Sequence, residues 1–585
     1  MSTRDAAPLL RVLPGSGGAR PIEAVLAGLG VAPNHVRLAR LRAELTGEHL
    51  AGILADFGLL SGEGVARAHS LEHGDLPYFG PEQARQVATA RMAALRLEVS
   101  DDAGYVPVDW DGRTLTVAID EAARIRPAGN AFHRFPCVFV VASRESIRRI
   151  WGACYSASEQ RFDEALQSFL PRAPQPRGRN GDAAVAAEAG SGREIRDLLV
   201  ALLRHACLAG ASDIHLHRSG RVGLVRLTVD GIGQVFRILP EACYERLLTR
   251  LIHDARARED ELRQAGLREG ALDTSELAGG ADGSLFSRFA FRIELGHARS
   301  GRTAVIRLLD RESATADFDS LGFDDDTALA LRALVQQSSG LLLITGPTGS
   351  GKTTTLYALL KLIDPEQVSV QSIENPVEFH HGLWMQYEVR RLADHEGQEW
   401  GRWLKGLLRN APRVILMGEV RDGDTARTLM DGANTGHLVM TSLHANSAAS
   451  AIGRLRRLGV DPSDLADALL AVLAQRLVRT LCEACAETDP RADARRPAMR
   501  RACASGCAQC AWSGYRGRVM VHELLVSGPR VREAVLAGAP SDTLRDAGYL
   551  AGRTMWHSGE RLLAAGRTSL EELERVLGRA DGGAA

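Results

Sequence analysis

From about residue 318 onward, short apolar runs alternate with segments of helical periodicity. Leu341–Thr345 and Val414–Met417 are almost wholly apolar and predict buried strands, and Val368–Ile373 predicts a further strand. Thr354–Leu362 predicts a helix directly after the first of these strands. Alternation of this kind is typical of a parallel sheet with helices on both faces. We therefore predict an α/β domain over residues 318–585.

The preceding residues show weaker patterns that divide in two. Residues 1–170 carry helical periodicity at Ala51–Phe57 and Ser61–His73 and a short apolar run at Leu115–Ile119. We predict an amino-terminal α/β interaction domain there. Residues 171–193 contain three prolines, four glycines and one large apolar residue, Val185, which predicts a flexible linker.

Residues 194–317 then predict a second α/β domain. Glu194–Leu208 has helical periodicity, and Asp213–His217 and Arg221–Val229 alternate as strands do before the turn Asp230-Gly231. The chain would thus comprise three domains and one linker, within the two to four domains expected for 585 residues.

Charge and hydropathy exclude some classes of function. The chain has 71 basic and 72 acidic residues, a formal net charge of -1. Proteins that bind nucleic acid through its phosphates usually carry a basic excess, so no direct nucleic-acid partner is expected. The amino end lacks a signal-peptide pattern, and no apolar run approaches the ~20 residues of a membrane-spanning helix. We expect a soluble, cytoplasmic protein that docks on a membrane through partners.

A phosphate-binding motif follows the first buried strand. It matches G-x-x-x-x-G-K-[ST] between a strand and a helix, the context that this motif requires. Backbone amides of such a loop surround phosphates, the lysine reaches the β- and γ-phosphates, and the Thr353 hydroxyl ligates Mg²⁺. The predicted site for ATP comprises Gly346, Pro347, Thr348, Gly349, Ser350, Gly351, Lys352 and Thr353, followed by Thr354.

Hydrolysis also requires a carboxylate near the γ-phosphate. Glu419 follows the strand Val414–Met417 and Gly418, and strand ends meet at the ligand side of such a sheet. Glu419 is the predicted catalytic residue and a second magnesium ligand; alternatively, it only pairs with Arg421. Glu374 and Glu378 flank Asn375-Pro376 and either orient water or Mg²⁺ or form a charged turn without a catalytic part.

Two histidines bracket the apolar run Leu438–Leu443. Their placement suits sensing of the γ-phosphate, although each is also compatible with a structural role. The residues are His437 and His444.

Four cysteines form two C-x-x-C pairs. Four thiolates complete a tetrahedral zinc site without an open coordination position, so a Zn²⁺ ion there would be structural. Reduced core cysteines and a redox role are the alternatives. The predicted ligands are Cys482, Cys485, Cys507 and Cys510, and Cys503 is unassigned.

These motifs together resemble the type II secretion and type IV pilus-assembly ATPases, also called traffic ATPases. The matching segments are Gly346–Thr353, Glu374–Glu378, Met417–Asp422, Gly436–Asn446 and Ala474–Cys482, with Ser212–His215 and Asp230-Gly231 before them. The resemblance implies a RecA-like P-loop motor domain with the four-cysteine element at about 480–515, a preceding smaller PAS-like α/β domain, and a homo-hexameric ring. It also implies an inner-membrane platform protein as partner, and makes Glu374, Glu378 and His444 catalytic along with Glu419.

The same resemblance implies arginines that contact the nucleotide from residues 194–317. Arg292 and Arg307 occupy suitable positions and are predicted to be catalytic, with Arg226 as a further candidate; for each, an ordinary surface ion pair is the alternative. The chain departs from the family at Asn375, where an aspartate is usual, and at Thr228, where an arginine is common. Residues 267–270 replace a usual Pro-Gln-Asp-Gly turn.

The motifs leave the cellular system open. The cysteine element and long amino-terminal region favour an assembly motor over a retraction motor, in type II secretion, a type IV pilus or a conjugative thin pilus. A degenerate, non-hydrolysing ring subunit and a nucleic-acid translocase are the other functions considered. His49-Leu50-Ala51 stands where some relatives have an Arg-Leu-Gly start that binds cyclic di-GMP, so that ligand is not expected.

Overall fold

The computed structural model describes most of the chain in two compact units. The described residues are 20–74, 76–87, 92, 95, 97, 99, 103–154, 158–169, 192–255, 267–272, 274, 285–311, 316–389, 398–494, 496–510 and 512–579. One unit lies within residues 1–55 and 60–311, and the other within 56–59 and 312–585. Among the described helices, none is both long enough and apolar enough to cross a membrane.

The first unit begins with short helices and a small sheet. Strands β1 (Tyr105–Trp110), β2 (Leu115–Ile119) and β3 (Cys137–Val141) form a sheet in that order, with β1–β2 antiparallel and β2–β3 parallel. The predicted helices near residues 51 and 61 and the predicted strand at 115–119 are confirmed. The helices of this part are Ile22–Gly28, Pro33–Thr46, Leu50–Asp56, Gly62–His73, Pro81–Arg85, Ile125–Ala131 and Arg144–Cys154.

The rest of the first unit packs helices on a six-stranded antiparallel sheet. The sheet order is β6-β5-β4-β9-β8-β7, and the strands are β4 (Ala211–Ser219), β5 (Val222–Val229), β6 (Ile232–Pro240), β7 (Leu267–Ala271), β8 (Phe289–Ala298) and β9 (Gly301–Asp310). The helices are Ser158–Phe169, Gly192–Leu208 and Glu241–Asp254. Most of the predicted linker, residues 171–191, lies outside the described residues, and a helix already begins at Gly192.

A seven-stranded sheet forms the centre of the second unit. Its order is β12-β11-β13-β14-β10-β15-β18, and all neighbours are parallel except the last pair. The predicted parallel sheet is confirmed, with one antiparallel strand added at its edge. The strands are β10 (Gly340–Thr345), β11 (Val370–Glu374), β12 (Met385–Glu388), β13 (Val414–Met417), β14 (Leu438–Leu443), β15 (Leu469–Leu481) and β18 (Tyr515–Val526).

Helices cover both faces of this sheet, which explains the apolar runs. Leu341 and Leu343 of β10 pack into the hydrophobic cluster on one face, and Leu342 and Ile344 pack into the cluster on the other. A strand buried on both faces needs apolar residues at every position. The helices are Asp325–Leu334, Lys352–Leu360, Gln398–Leu407, Gly423–Asn434, Ala448–Arg457, Pro462–Ala468, Pro529–Leu536, Ser541–Gly548, Met555–Ala564 and Leu570–Leu577.

The cysteine segment leaves the sheet between β15 and β18. Leu481 pairs with Tyr515, so the two strands close the segment at its base. Within it, β16 (Glu487–Thr488) and β17 (Arg500–Arg501) form a small antiparallel pair. The segment is therefore an insertion between two strands that pair at its base.

A buried carboxylate attaches the last helix to β15. Glu572 is 1% exposed and accepts hydrogen bonds from Arg479 Nη2 at 2.7 Å and Arg575 Nη2 at 2.6 Å. Although burial opposes the shift, these hydrogen bonds lower the pKa of Glu572 to about 2. Glu572 is thus ionised at neutral pH.

Candidate nucleotide site

The phosphate-binding loop connects β10 to the helix Lys352–Leu360. Gly349 and Gly351 have φ angles of 75° and 83°, in the left-handed region that favours glycine, and Gly351 is the N-cap of the helix. Lys352 Nζ donates to the carbonyls of Gly346 at 3.1 Å and Pro347 at 3.0 Å. The lysine therefore lies folded over the loop, and the helix directs its amino end at the same space.

Glu419 lies at the carboxyl ends of the parallel strands, on the side of the sheet that carries this loop. It follows β13, and the parallel strands β13, β14 and β10 all end there. Glu419 forms an ion pair with Arg421, as one interpretation of the sequence predicted, and its Oε2 also lies 3.4 Å from His444 Nε2. Burial lowers the pKa of Lys352, and the nearby carboxylates of Glu419 and Glu378 oppose that shift.

Glu378 is the acid in contact with the motif threonine. Burial, and then the charge of Glu374, raise the pKa of Glu378 to about 7, while a hydrogen bond from the Thr353 hydroxyl and the charge of Lys352 oppose the rise. Glu378 therefore lies beside the loop as a carboxyl group whose pKa is near neutral pH.

Glu374 is held by neighbouring side chains. It is 3% exposed and accepts hydrogen bonds from Tyr357 and, at 2.5 Å, from the Ser372 hydroxyl. Burial raises its pKa, and these hydrogen bonds oppose the rise. Asn375 follows it at the end of β11 and is partly buried.

The two histidines lie at opposite ends of β14. His444 follows the carboxyl end and contacts Glu419, whereas His437 precedes the amino end and its Nδ1 lies 2.9 Å from the Gly432 carbonyl. A strand of six residues spans about 20 Å. The prediction that both suit phosphate sensing is therefore wrong for His437, because the strand separates it from the loop.

Gln475 is a contact of the loop that the sequence did not single out. It lies on β15, is 1% exposed, and its Nε2 donates to the Ser350 carbonyl at 2.7 Å. The available signal was a polar side chain inside an otherwise apolar strand, because a buried amide requires hydrogen-bond partners.

Two arginines also line the space beside the loop. A pocket of about 290 Å³ is bordered by Gly346, Pro347, His444, Arg454 and Arg457. Within the described part of the chain, Arg454 Nε is buried and has no hydrogen-bond acceptor. The sequence around Arg454 and Arg457 has the pattern of an ordinary amphipathic helix, which does not indicate that the two arginines line this pocket.

The predicted arginines of the first unit occupy one row of its six-stranded sheet. Arg292 on β8 lies opposite Arg307 on β9, and Arg307 lies opposite Asp213 on β4. Directly opposed residues share a face of a sheet. Arg307 Nε donates to Asp213 Oδ1 at 2.8 Å, which is the ion pair that the sequence left as an alternative. Arg226 lies on β5 opposite His215 and is exposed.

Thr228 extends that row across β5, opposite Asp213. Its hydroxyl lies 3.2 Å from His215 Nε2. Residues 267–271 form β7.

The four predicted metal ligands converge on one point. Cys482 Sγ and Cys507 Sγ lie 3.8 Å apart, as do Cys485 Sγ and Cys510 Sγ. In a tetrahedron with bonds of about 2.3 Å, the ligand atoms are about 3.8 Å apart. The cluster therefore fits a four-coordinate metal ion, and Cys503 lies outside it, with its Sγ 3.3 Å from Ser505 Oγ.

A buried strand, a glycine loop and a helix, with Lys352 folded over the loop, define a P-loop nucleotide-binding protein. The sequence profile of the family described as "Type II/IV secretion system protein" matches residues 188–575. The chain belongs to that family and is an ATPase of the secretion and pilus-assembly class.

Individual relatives agree with this assignment. "Type II secretion system protein E" of Klebsiella pneumoniae is 36% identical over 391 residues, covering 65% of this chain and 75% of that protein. "Type IV pilus assembly ATPase PilB" of Thermus thermophilus is 34% identical over 388 residues, covering 64% and 42%. A crystal structure of the pilus retraction motor PilT with bound ADP is 23% identical, with coverage of 65% and 96% and a TM-score of 0.44. The family assignment rests on the sequence matches.

Proposed function

We propose that this chain binds ATP with Mg²⁺ at residues 346–354 and hydrolyses it to drive type IV pilus assembly, conjugative thin-pilus assembly or type II secretion. The observation that carries the proposal is the convergence of Lys352, Glu419 and His444 at one edge of the sheet. A cation and an acid that face the same space match the requirements of phosphoryl transfer.

Each residue of the site has a proposed task. Lys352 binds the β- and γ-phosphates, Glu419 orients the attacking water, and His444 responds to the γ-phosphate through its contact with Glu419. Thr353 and Glu419 would hold Mg²⁺, which neutralises phosphate charge when bound. Glu378 holds the Thr353 hydroxyl.

Three further residues support the reaction in this proposal. Glu374, which is fixed by protein hydrogen bonds, positions the segment that carries Glu378. Arg292 and Arg307 contact nucleotide and cancel charge that develops on the transferred phosphoryl group.

We further propose the roles of the domains, the oligomeric state and the location of the protein from its family. Residues 318–585 act as a RecA-like motor, residues 194–317 as a PAS-like domain, and residues 1–170, joined by the linker 171–193, as an interaction domain. The subunits form a homo-hexamer at the cytoplasmic face of the inner membrane and bind a platform protein there. The four cysteines hold a structural Zn²⁺ ion, since all four coordination positions are thiolates.

Two variants of the phosphate site test the enzymatic proposal. Lys352→Ala should lose both ATP binding and phosphate release, and Glu419→Gln should keep ATP binding and lose phosphate release. Arg421→Ala is the matched control for Glu419, because it removes the ion pair and leaves the acid in place. Undiminished phosphate release from Glu419→Gln would exclude Glu419 as the catalytic residue.

Asn375 and Thr228 favour one second function, a ring subunit that binds nucleotide without hydrolysis. In that case the assembled wild-type ring would bind ATP and release no phosphate. Restoration of turnover by Asn375→Asp would identify the missing carboxylate as the cause.

A further inference from the structure

Three potential metal ligands meet on the amino-terminal helices, outside the nucleotide and cysteine sites. His49 directly precedes the helix Leu50–Asp56, and His69 and Glu72 lie three residues apart on the helix Gly62–His73. Residues at this spacing share a helix face. One ligand atom from each of the three lies within 4.8 Å of the other two.

Glu72 Oε2 lies near both imidazoles and is hydrogen-bonded to one of them. His49 Nε2 lies 3.1 Å from Glu72 Oε2, a hydrogen-bond distance. His69 Nδ1 lies 3.9 Å from the same oxygen, beyond hydrogen-bond range. The two imidazole rings lie with centroids 4.5 Å apart. The second imidazole therefore lies close to the carboxylate and makes no hydrogen bond with it.

A single ion between the three atoms fits these distances. Metal–ligand bonds of about 2.1 Å place tetrahedral ligand atoms about 3.4 Å apart. The two measured separations, 3.1 and 3.9 Å, lie on either side of that value. Small rotations of the side chains would equalise them.

Ligand type and exposure indicate the class of ion. Two imidazoles and one carboxylate suit Zn²⁺ and neighbouring transition ions better than Mg²⁺ or Ca²⁺, which prefer oxygen. The side chains of His49, His69 and Glu72 are 39%, 12% and 24% exposed, so water can reach a fourth position.

Metal binding would cost two hydrogen bonds of His49. The Ala51 amide donates to His49 Nδ1 at 3.3 Å. When Nε2 ligates a metal, Nδ1 carries the ring proton and this contact is lost. The three new bonds to the ion replace it and the His49–Glu72 hydrogen bond.

We propose that His49, His69 and Glu72 form a second metal site, for a divalent transition ion of the Zn²⁺ class. The ion joins the start of the helix Leu50–Asp56 to the carboxyl-terminal turns of the helix Gly62–His73. This site shares no residue with the nucleotide site.

Metal content of the full-length protein tests this proposal directly. After dialysis against Zn²⁺ and then against metal-free buffer, elemental analysis should find a second equivalent beyond that of the cysteine cluster. The double variant His49→Ala/His69→Ala should lose that equivalent alone. Co²⁺ separates the two sites spectroscopically, because only the cysteine cluster gives thiolate charge-transfer absorption.

Two single variants complete the design. Glu72→Gln keeps the size and hydrogen-bonding capacity of the side chain and should weaken Zn²⁺ binding by at least about ten-fold. His73→Ala, on the same helix and outside the trio, should bind as the wild type does. Equal metal content in the wild type and the double variant, or unchanged affinity in Glu72→Gln, would overturn the proposal.

Discussion

Substitution of Glu378 by glutamine should stabilise the second unit and impair catalysis. Glu378 is a carboxyl group whose pKa rises from 4.5 to about 7, first because of burial. Between these two values the folded state binds more protons than the unfolded state, so the free energy of unfolding falls as the pH rises. Glutamine is neutral at every pH and removes that dependence.

The magnitude follows from the size of the pKa change. Each unit is worth about 1.4 kcal/mol, so ionised Glu378 costs the folded state about 3 kcal/mol above pH 7. Glu378→Gln should therefore match the wild type near pH 4.5 and be more stable by about 3 kcal/mol at pH 8. ATP turnover should fall most above pH 7, where Glu378 is ionised, because the carboxylate beside Thr353 is lost.

The assay must report on the second unit alone, since a chain of several units does not unfold in two states. Hydrogen exchange of peptides from β10 and the helix Lys352–Leu360, measured without nucleotide between pH 5 and 8, meets this need. Glu366→Gln, an exposed glutamate of the same unit, is the control and should show no pH-dependent gain. The reasoning would be refuted if Glu378→Gln were less stable than the wild type at pH 8. It would also be refuted if the variant were stabilised equally at pH 5 and pH 8.

Three other substitutions have distinct expected results. Glu572→Gln should lower the free energy of unfolding of the second unit by about 2 to 3 kcal/mol at pH 7. The difference should vanish as the pH falls through the pKa of about 2, because only the ionised carboxylate is stabilising. Hydrogen exchange of peptides from the helix Leu570–Leu577 at several pH values checks this. Cys507→Ser should remove the metal and speed hydrogen exchange in residues 482–514 only, which mass spectrometry would show; equal protection in variant and wild type would exclude a metal-stabilised segment. Arg307→Ala should lose phosphate release and keep ATP binding, whereas Asp213→Ala should retain phosphate release; equal losses in both variants would mean that Arg307 acts only through its ion pair.

The sequence predicted the core of the second unit because its signals are local. The apolar residues of β10, the glycines after it and Lys352 are adjacent in the chain, so strand, loop and helix follow from neighbouring residues alone. The cysteine cluster was predictable for a related reason, since two C-x-x-C pairs each bring two thiolates together locally.

The remaining contacts depend on residues far apart in the chain. Gln475 reaches the loop only because β15 pairs with β10, and Tyr357 bonds Glu374 only because helix and strand pack together. His437 and His444 are equivalent in the sequence, and only the direction of β14 separates them. The antiparallel edge strand β18 was likewise unpredicted, because strand pairing across the cysteine segment leaves no local pattern.

The closed base of the cysteine segment, where Leu481 pairs with Tyr515, has a consequence for how the protein tolerates change. Strand pairing already holds both ends of the segment together. The pairing therefore offsets the entropy cost of closing this loop, and that cost does not depend on the ion. The register of β15, on which Gln475 and the phosphate loop depend, is therefore set by strand pairing and by the hydrophobic cluster that joins Met499 of the segment to Val478, and not by the ion. Loss of the ion should therefore leave that register unchanged.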